Sequence, residues 1–182
     1  MRFSKALPAL FEAFQKAEID FALIGGLAVY YMGIARATFD ADFLVFLTDA
    51  ERAEKLLTGL GYRQTHRTLN AACYSSPDPD QGRVDLLYAH RHYALEMLRH
   101  ASVQTVLGWK VKILLPEDLI GLKVQSSSND PDRMAKDLSD IESLMRIYKD
   151  QLDWSKVSEY FSVFGRETEC EQLKAKAFER KQ

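Results

Sequence analysis

The sequence predicts an α+β fold in which a mixed β-sheet with flanking helices is followed by a C-terminal helical region. Short apolar runs alternate with amphipathic segments in the first half, whereas the pattern turns helical from about residue 116 onward. A hydrophobic content of 47% in 182 residues is ample for a buried core. We therefore expect an α/β core over residues 1–115 and a helical subdomain over residues 116–182.

The α/β core begins with an amphipathic helix at about 3–17, because its apolar residues recur at helical spacing. Glycines mark the ends of several later helices and strands. Thr48-Asp49-Ala50-Glu51 is predicted to be a capping box, which opens a helix that runs to about residue 60. We predict strands at 20–24, 40–47, 62–68, 71–75 and 83–88, helices at 27–34, 50–60 and 90–99, and a hairpin of 103–107 and 110–114 around Gly108-Trp109.

The helical half is predicted to start at Pro116, where a proline in the first turn and two following acids favour a helix N-terminus. The polar segment 126–131 is expected to be a loop that ends this helix. Apolar residues at helical spacing predict further helices at about 132–148, 153–163 and 166–180.

An Asp-x-Asp pair stands in the apolar strand at 40–47. Strand side chains alternate, so Asp40 and Asp42 project from one face, roughly 6 to 7 Å apart. Their repulsion, and the cost of burying charge beside apolar residues, favour a bound cation. A third carboxylate, Asp85, lies in another apolar strand. Three carboxylates can hold two Mg²⁺ ions, with Mn²⁺ as an alternative, and so support phosphoryl or nucleotidyl transfer.

Gly25-Gly26 interrupts the chain between the first strand and the next helix. Glycines have no side chain, so a phosphate can approach the backbone closely. The N-terminus of the following helix offers N–H groups and a positive dipole end at the same place. The sequence therefore predicts an anion-binding turn here.

The run from Gly25-Gly26 through Arg36, Thr38 and the Asp-x-Asp pair, with the distant Asp85, resembles the core of the DNA polymerase β-like nucleotidyltransferase superfamily. Residues 116–123 and 136–141 are similar to the AbiEii branch, the nucleotidyltransferase toxins of type IV toxin-antitoxin systems. The likeness spans about residues 20–147. It implies a nucleotidyltransferase core in the first half of the chain and a possible antitoxin protein as partner.

The resemblance also implies roles for individual residues. Asp40, Asp42 and Asp85 would be catalytic and would bind the metal. The nucleotide would be bound by the other motif residues, which are Gly25, Gly26, Arg36, Thr38, Lys123 and Asp137. The superfamily's usual Gly-Ser is Gly-Gly here, so backbone amides must bind the phosphate without a serine hydroxyl.

Composition narrows the function classes. The formal charge of -2 gives no overall basic field, so a nucleic-acid contact would need a local patch. Cys73 and Cys170 lack metal or disulfide spacing, which fits a reducing cytoplasm. The longest uncharged stretch, 21–35, is too short to cross a bilayer, and no membrane association is expected.

We therefore expect a Mg²⁺-dependent enzyme that moves a nucleoside monophosphate from a nucleoside triphosphate to an acceptor hydroxyl. RNA, a protein or a small molecule could each carry that hydroxyl. Two alternatives stay open. One is an inactive member of the fold that binds a nucleotide or a partner; the other is a glycosyltransferase that uses Asp-x-Asp to hold a nucleotide diphosphate.

Overall fold

The chain forms two compact units. A computed structural model describes residues 1–179. The first unit comprises residues 1–31 and 35–114, and the second comprises residues 32–34 with the described residues from 115 onward. The helices are α1 (Phe3–Lys16), α2 (Gly25–Tyr31), α3 (Ala50–Gly59), α4 (His92–His100), α5 (Pro116–Asn129), α6 (Met134–Tyr148), α7 (Trp154–Ser162) and α8 (Glu167–Phe178).

The first unit is built on one mixed sheet. Its strands are β1 (Phe21–Ile24), β2 (Asp40–Phe46), β3 (Arg63–Arg67), β4 (Ala71–Ser75), β5 (Arg83–Ala89), β6 (Ser102–Val106) and β7 (Trp109–Ile113). Their order across the sheet is β3-β4-β5-β2-β1-β7-β6. β2 pairs parallel with β5 and β1 pairs parallel with β7, while the other neighbours are antiparallel. The predicted α+β fold with a mixed sheet is confirmed.

An aromatic cluster joins α1 to one face of this sheet. Phe11 and Phe14 of α1 lie against Phe21 and Phe43 of the strands, with ring centroids 5.1 to 6.3 Å apart. All four rings are buried. Burying such a side chain stabilises a fold by about 1.5–3 kcal/mol, so this cluster anchors β2 firmly against α1. β2 carries two of the predicted metal ligands.

Three local predictions differ from the structure. Helix α2 begins at Gly25 itself, two residues earlier than expected. The predicted capping box is wrong, because Thr48 lies inside a 3₁₀ turn (Leu47–Asp49) and the N-cap residue of α3 is Asp49. Asp49 makes no capping hydrogen bond and instead accepts one from Arg52 at 2.7 Å. The hairpin turns at Leu107-Gly108, where φ is 50° and 83°. Positive φ at both central residues is typical of a type I′ turn, whose twist matches that of the strands.

The predicted loop at 126–131 is also wrong over most of its length, because α5 continues to Asn129. The hydroxyls of Ser127 and Ser128 donate to the Val124 carbonyl oxygen at 3.1 and 2.7 Å, so these serines are satisfied within the helix. Arg166 donates to the same two hydroxyls at 2.8 and 2.9 Å. The contact from Arg166, at the N-terminus of α8, thus stabilises the C-terminal end of α5, whose polar composition disfavours a helix.

The second unit is a helical assembly. α5 packs against α6 and α7, and α8 packs against α6 and α7. Gly121 of α5 lets the ring of Tyr160 approach closely, since a Cβ there would lie 2.6 Å from a ring carbon. Among the described residues, no helix is long and apolar enough to cross a membrane.

Candidate active site

The three predicted carboxylates meet on neighbouring strands of the first unit. Parallel pairing of β2 with β5 sets Asp42 opposite Asp85 and Asp40 opposite Arg83. One carboxylate oxygen from each of Asp40, Asp42 and Asp85 lies within 4.8 Å of the others, and all three residues are half-buried. The alternation of strand side chains and the strand register together bring the three charges to one face of the sheet.

The Asp40 carboxylate is held by its own strand's lead-in segment. The hydroxyl of Thr38 donates to Asp40 Oδ1 at 2.7 Å. Thr38 lies two residues before Asp40, in the segment that leads into β2. The hydrogen bond fixes the orientation of this carboxylate.

Both glycines of the Gly25-Gly26 pair face side chains of the site. Gly25 has φ +63°, and a Cβ there would overlap the Asp42 carboxylate. A Cβ at Gly26 would overlap the Arg36 guanidinium and lie 2.7 Å from Thr38 Oγ1. The glycines are therefore required by the close approach of the site's own side chains, in addition to any phosphate contact.

Sequence reasoning missed two residues that contact Asp85. Arg83 donates through Nε to Asp85 Oδ1 at 2.9 Å, and its Nη2 lies 2.8 Å from Oδ2. This two-point contact raises the pKa of the Arg83 guanidinium. Cys73 is the register partner of Asp85 on β4, and its pKa is raised first by burial and then by a hydrogen bond to Asp85. The two-residue spacing of Arg83 and Asp85 could have indicated their contact, whereas Cys73 required the strand pairing.

Lys123 and Asp137, which the resemblance assigns to the nucleotide, lie in the second unit and pair with each other. Lys123 Nζ is 2.8 Å from Asp137 Oδ1 and 2.7 Å from Asp140 Oδ2. The side chain of Lys123 is 5% exposed and that of Asp137 is 0% exposed. Burial alone would raise the pKa of Asp137, but the hydrogen bond and charge of Lys123 outweigh it and lower that pKa. We call Lys123, Asp137 and Asp140 the buried ion network.

The three carboxylates on the sheet fit a hard divalent cation. Mg²⁺ and Ca²⁺ prefer oxygen ligands at about 2.0–2.6 Å, so two oxygens on one ion are at most about 5 Å apart. The spacing of Asp40, Asp42 and Asp85 meets that condition. A nitrogen- or sulfur-rich donor set, as zinc usually has, is not what these three side chains offer.

Comparison with solved structures supports the fold. The antibiotic-resistance factor ANT(2'')-Ia is similar with a TM-score of 0.68 and 13% identity, covering 94% of this chain and 97% of that chain. The lincosamide antibiotic adenylyltransferase LnuA is similar with a TM-score of 0.59 and 16% identity, covering 77% and 94%. An antigenic nucleotidyltransferase-like protein from Paracoccidioides brasiliensis is similar with a TM-score of 0.60 and 17% identity, covering 96% and 92%.

Sequence comparison gives the family. No curated protein matches the chain. A family model described as "Uncharacterised nucleotidyltransferase" matches residues 1–173, nearly the whole chain. The match includes β2 and β5 with their carboxylates and most of the helical unit. The narrower resemblance to the AbiEii branch stays a prediction. Because the family model matches residues 1–173, the chain belongs to this nucleotidyltransferase family.

Proposed function

We propose that this nucleotidyltransferase uses Mg²⁺, or Mn²⁺ in its place, to move a nucleoside monophosphate from a nucleoside triphosphate to an acceptor hydroxyl. The observation that carries the proposal is the convergence of three carboxylate oxygens within 4.8 Å on neighbouring strands. Three such charges repel one another unless a cation lies among them. Their ligand chemistry is that of a hard divalent ion.

Asp40 and Asp42 would hold the cation, and Asp85 would assist them. When bound, the divalent cation would neutralise phosphate charge and favour ionisation of the attacking hydroxyl. The acceptor oxygen attacks the α-phosphorus, forming a new phosphate ester, while the bond to the bridging oxygen breaks and pyrophosphate leaves. We assign the hydroxyl proton to the carboxylate of Asp85, which would act as general base.

The triphosphate would contact the backbone N–H groups at Gly25 and Gly26 and the side chains of Arg36 and Thr38. Arg36 and Thr38 support this proposal because both lie against Gly26, beside the carboxylates. A guanidinium can bind phosphate oxygens through two hydrogen bonds. A nucleotide contact by Lys123 and Asp137 would require a further step. These two side chains form a buried pair, which would have to open before either could bind the nucleotide.

A small-molecule hydroxyl is the acceptor that we propose first. Among the similar structures, ANT(2'')-Ia was solved with adenylyl-2"-tobramycin and the lincosamide adenylyltransferase LnuA with lincomycin. Those names support the adenylylation of a small molecule. An RNA 3′ end or a protein hydroxyl is the alternative, and would go with a toxin role and an antitoxin partner. We further propose a cytoplasmic location, where nucleoside triphosphates are supplied.

The test is incubation with each labelled nucleoside triphosphate and Mg²⁺, with separate acceptor pools of total RNA, protein, tobramycin and lincomycin. Label should appear in one pool, and should disappear from it in the Asp40→Asn variant. Asp20→Asn is the matched control, because Asp20 pairs with Lys112 away from the carboxylates. Equal labelling by Asp40→Asn and the wild type would contradict the proposal.

Two rival functions predict other outcomes, which ligand-binding measurements alongside this incubation would show. Binding of a nucleotide sugar in preference to a nucleoside triphosphate would favour the glycosyltransferase alternative. Nucleotide binding without transfer to any acceptor would favour an inactive, ligand-binding member of the family. Against the inactive alternative stands the clustering of three carboxylates, whose mutual repulsion the pairing of Asp85 with Arg83 limits but does not remove.

A further inference from the structure

Arg83 binds the carboxylate of Asp85 through two contacts. Its Nε lies 2.9 Å from Asp85 Oδ1, and its Nη2 lies 2.8 Å from Oδ2. The side chain of Asp85 is 21% exposed and that of Arg83 is 54% exposed. Such a paired contact matches the planar guanidinium to the carboxylate, so both Asp85 oxygens already bind the same positive group.

The sheet builds this contact from residues that are close in the chain. Arg83 and Asp85 are two apart in β5, so their side chains share one face of the strand. On the neighbouring strand β4, Cys73 is the register partner of Asp85, and its sulfur lies 3.5 Å from Arg83 Nη2. The guanidinium is therefore held by Asp85 and Cys73 together, on the same face of the sheet as Asp40 and Asp42.

We propose that Arg83 competes with a divalent cation for Asp85, so that the cation binds this carboxylate only when the guanidinium moves away. The inference rests on the proposed function, since it needs a cation at the three carboxylates. A guanidinium and a divalent ion on the same carboxylate repel each other. Because more than half of the Arg83 side chain is exposed, it can leave Asp85 for water without unfolding the strand.

The consequence is a lowered affinity for the cation in the nucleotide-free protein. Only the fraction of molecules in which Arg83 has left Asp85 binds through all three carboxylates, and the apparent affinity falls by that fraction. Arg83 acts as a positioning residue, since it works through Asp85. It also limits the repulsion among the carboxylates while no cation is bound.

The test is Mn²⁺ binding by calorimetry and electron paramagnetic resonance, without nucleotide. Arg83→Gln should bind Mn²⁺ about three- to tenfold more tightly than the wild type, a range set by the modest strength of a partly exposed ion pair. Arg83→Lys, which keeps the charge and loses the two-point contact, should lie between them. Arg63→Gln is the charge control: Arg63 shares the register row of Arg83 through Ser75, two strands away, and its loss should change affinity less than twofold.

A second readout follows Arg83 directly in the wild type and does not depend on a variant that folds. The Nε–H resonance of Arg83 should exchange slowly with water without metal and quickly at saturating Mg²⁺. An unchanged resonance, an Arg83→Gln affinity within twofold of the wild type, or equal tightening by Arg63→Gln would overturn the inference and leave the proposed function standing. Failure of the wild type and every variant to bind Mn²⁺ would overturn both.

Discussion

The carboxylates on the sheet and those of the buried ion network are both small clusters of acids, but their surroundings differ. On the sheet, Asp40, Asp42 and Asp85 bring three oxygens within 4.8 Å of one another, and all three residues are half-buried. In the network, Asp137 and Asp140 share one amino group, that of Lys123, and their side chains are only 0% and 7% exposed.

The difference indicates opposite uses of charge. A buried carboxylate must be paired, and removing its partner leaves a desolvated charge that destabilises the fold. The carboxylates on the sheet are open to solvent on one side, so a cation and substrate can reach them. We therefore expect changes on the sheet to lower activity with little effect on stability, and changes in the network to lower stability, whatever their effect on nucleotide binding.

The largest effect is expected for Asp42→Asn. This change removes a proposed metal ligand, so nucleotidyl transfer should fall by roughly 10³-fold or more. The free energy of unfolding should stay unchanged or rise slightly, because one repulsive charge is lost. Pyrophosphate release and denaturant unfolding measure the two quantities, with Asp20→Asn as control. A parallel loss of stability would show that Asp42 is a structural residue.

In the buried ion network, Lys123→Met should lower the free energy of unfolding by about 3–5 kcal/mol, because two buried carboxylates lose the amino group that they share. The more exposed Arg133, 3.4 Å from Asp137, remains in this variant. The matched control is Lys176→Met, since Lys176 pairs with Glu142 at 2.8 Å but is 60% exposed. An exposed pair of this kind contributes about 0–1 kcal/mol. Similar losses in the two variants would mean that burial does not govern the strength of these pairs.

Two glycines allow the effect of backbone strain to be distinguished from an effect on the metal site. Gly25 and Gly33 both have positive φ, at +63° and +87°, so alanine strains either position. A Cβ at Gly33 would meet nothing within 4 Å, whereas one at Gly25 would overlap the Asp42 carboxylate. Each variant should lose about 1–3 kcal/mol of stability. Only Gly25→Ala should also weaken Mn²⁺ binding, as calorimetry would show; equal weakening by Gly33→Ala would contradict this.

The smallest effect concerns acid stability. The pKa of Asp137 is lowered in the folded protein, because the hydrogen bond and charge of Lys123 outweigh the effect of burial. A lowered pKa gives stability that is fully present above the ordinary value of 3.8 and is lost as pH falls through the folded value. Asp137→Asn should therefore flatten the pH dependence of the unfolding free energy below that value. An unchanged slope would exclude this linkage.

Local patterns sufficed to predict much of the sheet and the meeting of its carboxylates. The period of two in β2 set Asp40 and Asp42 on one face, and an acid in an apolar strand singled out Asp85. These signals act over two or three residues, so they can be read without the fold. The Arg83–Asp85 pair follows the same rule and was missed because the sequence offers many equally spaced pairs.

The remaining differences depend on tertiary contacts. The polar segment at 126–129 is helical because the hydroxyls of its serines donate hydrogen bonds to the Val124 carbonyl oxygen. The same hydroxyls accept hydrogen bonds from Arg166, which is about 40 positions away in the chain. Likewise, a lysine on a helix commonly keeps its amino group in water. Only the packing of α5 against α6 buries Lys123 beside two acids, and a single sequence does not contain that information.

The most direct test of the central claim is calorimetric titration with a non-hydrolysable nucleoside triphosphate, in Mg²⁺ and in chelator, for the wild type and Asp40→Asn. If the three carboxylates on the sheet bind the triphosphate through a divalent cation, the wild type should bind it tightly in Mg²⁺ and weakly in chelator. Asp40→Asn should bind it weakly in both. Equal affinity in Mg²⁺ and chelator, with no effect of Asp40→Asn, would contradict the account.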